Sequence, residues 1–107
     1  PALAQAMSWL NAPCSTWFGH SAISPAPAQS STKAPILIVG TRFDPATPYA
    51  WAEALHASLP TSALLTFEGD GHTAYGAGSR CIDAQVEQYL LNGALPGDGA
   101  ACPNPRG

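Results

Sequence analysis

The clearest signal along the chain is a change in hydrophobic pattern near its middle. Pro35 to Gly40 (PILIVG) is short, wholly apolar and β-branched, and it ends at glycine, as a strand buried on both faces does. Thr47 and Pro48 follow, a threonine able to cap a helix and a proline suited to its first position. Behind them Trp51, Leu55 and Leu59 recur every four residues, which predicts an amphipathic helix ending at Pro60. Ser62 to Phe67 (SALLTF) reads as a second strand, closed by the turn-rich Gly69, Asp70 and Gly71. After His72 and a glycine-rich loop, Ile82, Val86, Tyr89 and Leu90 mark another amphipathic helix, stopped at Asn92 and Gly93.

The flanks are different. Leu3, Ala6, Met7 and Leu10 fall on one face of a short helix that Pro13 ends, and Cys14 to Pro35 has no periodicity. The tail to Gly107, rich in proline and glycine, reads as loop. The order strand, helix, strand, helix predicts an α/β fold with parallel strands and a right-handed crossover. Two such strands are too few for a doubly covered sheet, so the chain reads as the edge of something larger. The expected division is 1–34, an initial helix and linking loop, and 35–107, the α/β segment.

Composition sharpens this picture at one point. Charged residues are only 10% of the 107, against about a quarter in an average protein, as expected when part of a surface is covered by something else. The four cations, Lys33, Arg42, Arg80 and Arg106, are scattered and the net charge is −3, which excludes a nucleic-acid footprint. The longest apolar run, Ile36 to Val39, is far short of a membrane span, and Pro1 to Leu10 lacks the basic start and apolar core of a signal peptide. Cys14, Cys81 and Cys102 form no CxxC pair, so a zinc or thioredoxin-like site has little support. In an exported protein two would pair; in a reducing compartment all three would be buried thiols.

Catalytic groups of open α/β sheets gather at the carboxyl ends of the strands. Asp44 stands four residues past Gly40 and His72 just past the second strand. If the strands are parallel neighbours, both loops open on one edge and the carboxylate reaches the imidazole, as acyl-transfer chemistry requires. Asp70 is the rival acid, but a turn role suits it better, and His20 and His56 are expected to face solvent. No G-x-S-x-G elbow occurs, and none of the nine serines has the strand-to-helix turn an activated nucleophile needs.

These residues resemble a known family. Pro35 to Ala52 (PILIVGTRFDPATPYAWA) is similar to the acid segment of the tripeptidyl-aminopeptidase-like serine hydrolases, secreted exopeptidases of the α/β-hydrolase superfamily. The likeness continues through Gly69 to Thr73, Cys81, Tyr89 to Pro96 and Cys102-Pro103, and Cys14 to Trp17 is similar to the element that precedes this segment. The resemblance implies a C-terminal hydrolase segment in which Asp44 is the triad acid and His72 the general base. It implies a Cys81–Cys102 disulfide stapling the tail to the last helix, with Cys14 pairing outside the chain. Residues 1–34 would be the end of a cap region and its linking loop, with Trp17 a packing anchor. No cofactor or metal is implied. The expected partners are the N-terminal part of the same hydrolase, carrying the serine, and a peptide substrate; the expected place is secreted or at the cell surface. Without serine and oxyanion donors the chain alone should be inactive. The competing expectation is a non-catalytic interaction module, or a degenerate remnant, that pairs through an exposed sheet edge, and an isolated copy could self-associate there.

Overall fold

The computed structural model describes residues 33–105. Three parallel strands lie in the order β1 (Ile36–Phe43), β2 (Ser62–Asp70), β3 (Ala101–Pro103). Helix α1 (Tyr49–Ser58) joins the first two and α2 (Arg80–Asn92) the last two. The chain is therefore α/β with parallel strands, as its pattern predicts. The helix expected before Pro13 lies outside the described residues, as do His20, Cys14 and Trp17.

Strand alternation builds a core on each face. Ile36 and Ile38 of β1 and Leu64 of β2 meet Tyr49, Ala52 and Leu59 on the α1 side. Leu37, Val39, Leu65 and Phe67 meet Ile82, Val86 and Cys102 on the α2 side. Consecutive parallel crossovers that step the same way but use opposite faces have opposite hands. One of the two is thus of the rare left-handed kind.

Gly40 lets α1 approach β1, since a Cβ there would stand 2.8 Å from the Tyr49 ring and 3.1 Å from the Ala52 methyl. The packed stripe of α1 is consequently Tyr49, Ala52 and His56, leading into Leu59; of the expected Trp51, Leu55 and Leu59, only Leu59 is packed. Leu59 is buried, but Trp51 and Leu55 are 65% and 39% exposed. Thr47 does not cap α1 either; Pro48 holds the cap position and makes no side-chain bond there. At the start of α2 Ser79 Oγ accepts from the Ile82 N–H, a cap not read from the sequence, while Gly93 ends the helix at φ 68° as expected.

Two further expectations are corrected. Both long strands run three residues past the end of their apolar runs, as Thr41 to Phe43 and Glu68 to Asp70 continue the ladder. The tail is not all loop: Ala101, Cys102 and Pro103 pair with Thr66, Phe67 and Glu68. Burial of Cys102 and its disulfide to Cys81 dock this strand.

Candidate active site

Asp44 and His72 meet at the carboxyl edge of the sheet, where β1 and β2 release the chain into their following loops. In the β1–β2 ladder Thr41 pairs with Phe67 and Phe43 with Asp70, so β2 carries one extra residue across this step. Such bulges bend a strand and re-aim the side chains beyond it, and they are common beside active sites. The His72 loop is then pinned from below. Ala74 is buried in the α2-side core, and the Asp83 carboxylate accepts the Gly76 N–H at 2.8 Å. Gly71 and Thr73 flank the imidazole with φ of 104° and 68°. For a β-branched residue that backbone is strained, and it persists because the surroundings hold it.

The Asp44 carboxylate is held by its own turn. Asp44 Oδ1 accepts the N–H groups of Ala46 at 2.8 Å and Thr47 at 3.0 Å, and Oδ2 accepts the Thr47 hydroxyl at 2.7 Å. His72 Nδ1 stands 3.2 Å from Oδ1 and 3.1 Å from Oδ2. The Asp44 side chain is only 6% exposed, whereas that of His72 is 57% exposed. The Thr47 amide, then its hydroxyl, with help from Ala46 and His72, hold the Asp44 carboxyl far below the usual carboxylate range despite burial. An ionised Asp44 beside Nδ1 selects the tautomer with its proton there, which leaves Nε2 as the acceptor of a largely exposed side chain.

Asp70 is exposed at the end of β2 and takes no part in this contact. His56 departs from its expected solvent-facing place. It is half-buried, with Nδ1 2.8 Å from Ser62 Oγ and Nε2 3.7 Å from Asp98. Ser62 is nonetheless no nucleophile, because its hydroxyl donates to the Leu59 carbonyl at 2.6 Å. Ser58 donates to Leu55 O and Ser79 caps α2, so each serine among the described residues already has a backbone partner. Sequence reasoning missed Thr47 as a partner of Asp44, although an Asp followed three residues later by Thr is the spacing of such a turn.

Beside the pair, a cleft of about 370 Å³ lies between β1, α1 and the His72 loop, lined by Ile38, Thr41, Asp44, Trp51, Leu55 and Tyr75 among others. No group of three or more His, Cys, Asp or Glu side chains suited to a metal occurs among the described residues. No described helix is long and apolar enough to cross a membrane.

A parallel sheet that opens an acid loop and an imidazole loop on one carboxyl edge is the C-terminal part of an α/β-hydrolase fold. Residues 1–102 match the family described as TAP-like protein, and the chain belongs to that family. Among its relatives, the serine protease Hip1 of Mycobacterium tuberculosis is 38% identical over 89 residues, covering 83% of this chain and 17% of that protein. Carboxylesterase B of the same organism is 36% identical over the same extent. The tripeptidyl aminopeptidase of Streptomyces coelicolor is 33% identical over 103 residues, 95% of this chain and 19% of that protein. The chain thus spans under a fifth of the length of these relatives, whose names are those of hydrolases and peptidases.

Proposed function

We propose that this segment supplies the acid, Asp44, and the general base, His72, to a serine hydrolase that cleaves peptides from a free amino terminus. The observation that carries this is the 3.1–3.2 Å approach of Nδ1 to both Asp44 oxygens, on an imidazole that is itself 57% exposed. The nucleophilic serine and the oxyanion donors belong to the rest of the same protein, which docks along the outer edge of β1 and covers Trp51 and Leu55. Residues 1–34 are the end of its cap and the link to this segment, and residues 35–107 the segment itself. A disulfide within the fold suits a secreted or cell-surface protein. An isolated copy presents the same β1 edge to a second copy.

In the assembled site His72 Nε2 takes the serine proton as the hydroxyl attacks the substrate carbonyl. The imidazolium is stabilised by Asp44, which stays ionised, and it then returns the proton to the leaving amine. Water repeats the cycle on the acyl-enzyme. The 107-residue chain alone turns nothing over.

The test uses the full-length protein with His72→Ala and Asp44→Asn variants, a tripeptidyl anilide and a nitrophenyl ester. Each variant is expected to lose kcat by about 10⁴-fold, with labelling by a fluorophosphonate lost in the His72 variant. Turnover retained in both would overturn the assignment. Hydrolysis of the ester alone would make the protein an esterase using the same acid and base.

A further inference from the structure

The step where the β1–β2 ladder slips is bridged by side chains. Between the Thr41–Phe67 and Phe43–Asp70 pairs, two residues of β1 advance against three of β2. Backbone pairing is weakest there, just before the chain enters the two loops that carry Asp44 and His72. Arg42 and Glu68 occupy this gap. Arg42 donates from Nε to Glu68 Oε2 at 3.1 Å and from Nη2 to Oε1 at 2.7 Å, a two-point fork that a carboxylate accepts in one orientation only. The guanidinium also lies 4.1 Å over the Tyr49 ring, and the Tyr49 hydroxyl is 2.7 Å from Thr66 Oγ1 on β2. Tyr49 opens α1, directly after the Asp44 turn. Arg42, Glu68, Thr66 and Tyr49 therefore tie together the three elements that bound the site: the end of β1, the end of β2 and the start of α1.

We infer that the Arg42–Glu68 fork is a positioning device for the acid–base pair, fixing the separation of the Asp44 and His72 loops across the bulge. It rests on the assignment of those two residues as acid and base. Neither Arg42 nor Glu68 touches the reacting atoms. The Nε–Nη2 edge of the guanidinium is committed to Glu68, which leaves only the Nη1 side for any other acceptor. Its effect falls on the rate of the proton transfers and not on substrate binding. A displacement of about 1 Å in such a pair costs up to about 100-fold in rate. A lysine cannot replace the fork, because it offers a point charge without planar, two-point geometry.

The experiment compares Arg42→Met, Arg42→Lys, Glu68→Gln and the Met/Gln double variant in the full-length protein, with Asp44→Asn and His72→Ala measured in parallel. The single variants Arg42→Met and Glu68→Gln are expected to lower kcat by about 10- to 100-fold with KM within about twofold. Arg42→Lys should fall between them and the parent, and the double variant should be no worse than either single one. Losses in KM alone would overturn the inference by making Arg42 a substrate contact. Unchanged kcat in Arg42→Met and Glu68→Gln, or losses that multiply in the double variant, would overturn it equally. Should Arg42→Met fail to fold, the near-isosteric Glu68→Gln and the Arg42→Lys variant decide. If Asp44→Asn and His72→Ala keep full activity, the assignment of acid and base is what fails. If they lose activity while Arg42→Met and Glu68→Gln do not, only the positioning role is lost.

Discussion

Removing the Cys81–Cys102 disulfide is the perturbation whose size can be worked most directly from the fold. The bond joins the first turn of α2 to β3, and the cysteines are 21 residues apart. In the chain-entropy account, closing a loop of that length stabilises the native state by about 3 kcal/mol through the unfolded ensemble. Little else holds β3. It is three residues long, its last residue is Pro103, which has no N–H to give, and its main apolar anchor is Cys102, 1% exposed. The Thr66 N–H bond to the Ala100 carbonyl, 2.9 Å, leads into it.

A Cys81→Ala/Cys102→Ala chain should therefore lose about 3–4 kcal/mol, the upper value including the buried sulfur. That is a fall of roughly 12–30 °C in melting temperature for a domain near 100 residues. Thermal unfolding followed by circular dichroism on the 107-residue chain measures it, and reduction of the parent should reproduce most of the shift. Hydrogen exchange adds the location: protection should fall at Thr66 and the β3 segment well before Ile38 or Val39 of β1. A loss under about 1 kcal/mol, or uniform loss of protection across all three strands, would refute the view that the bond is what docks β3.

The remaining predictions concern the acid and the contact of α1 with the sheet. Because hydrogen bonds from Thr47, Ala46 and His72 depress the Asp44 carboxyl in the folded state, its stabilising contribution is complete above the ordinary aspartate value, near ~3.9, and is lost as pH falls below it. An Asp44→Asn chain should melt below the parent at neutral pH, with the gap closing as the solution is acidified from about pH 4 towards pH 2; a gap that widens on acidification would contradict the bonding around Asp44. Gly40→Ala puts a methyl against the Tyr49 ring at 2.8 Å, a ring already held by Arg42 and Thr66. It should destabilise by about 1–3 kcal/mol, measured by urea unfolding, while Gly97→Ala, with nothing within 4 Å, should not.

Much of this architecture is legible in the residues because burial writes a periodic signal. Ile36 to Val39 and, Thr66 apart, Ala63 to Phe67 are apolar on both faces because a helix covers each face, and so short a run is the mark of a strand covered on both faces. Gly93 ends α2 by capping chemistry that is local to a few residues. Asp44 and His72 stand out because each lies just past an apolar strand, and parallel topology alone then brings them to one edge. What the sequence could not decide is everything that depends on partners distant along the chain. Which row of α1 faces the sheet is set by the space above Gly40, not by hydrophobicity, and so Tyr49, Ala52 and His56 are packed while Trp51 stays exposed. The bulge, the Arg42–Glu68 fork and the third strand carry no periodic mark; polar strand ends and a three-residue ladder are stabilised by tertiary contacts alone. Local pattern records whether a residue is buried, whereas register and facing are set by which surfaces fit together, and only the folded chain fixes those.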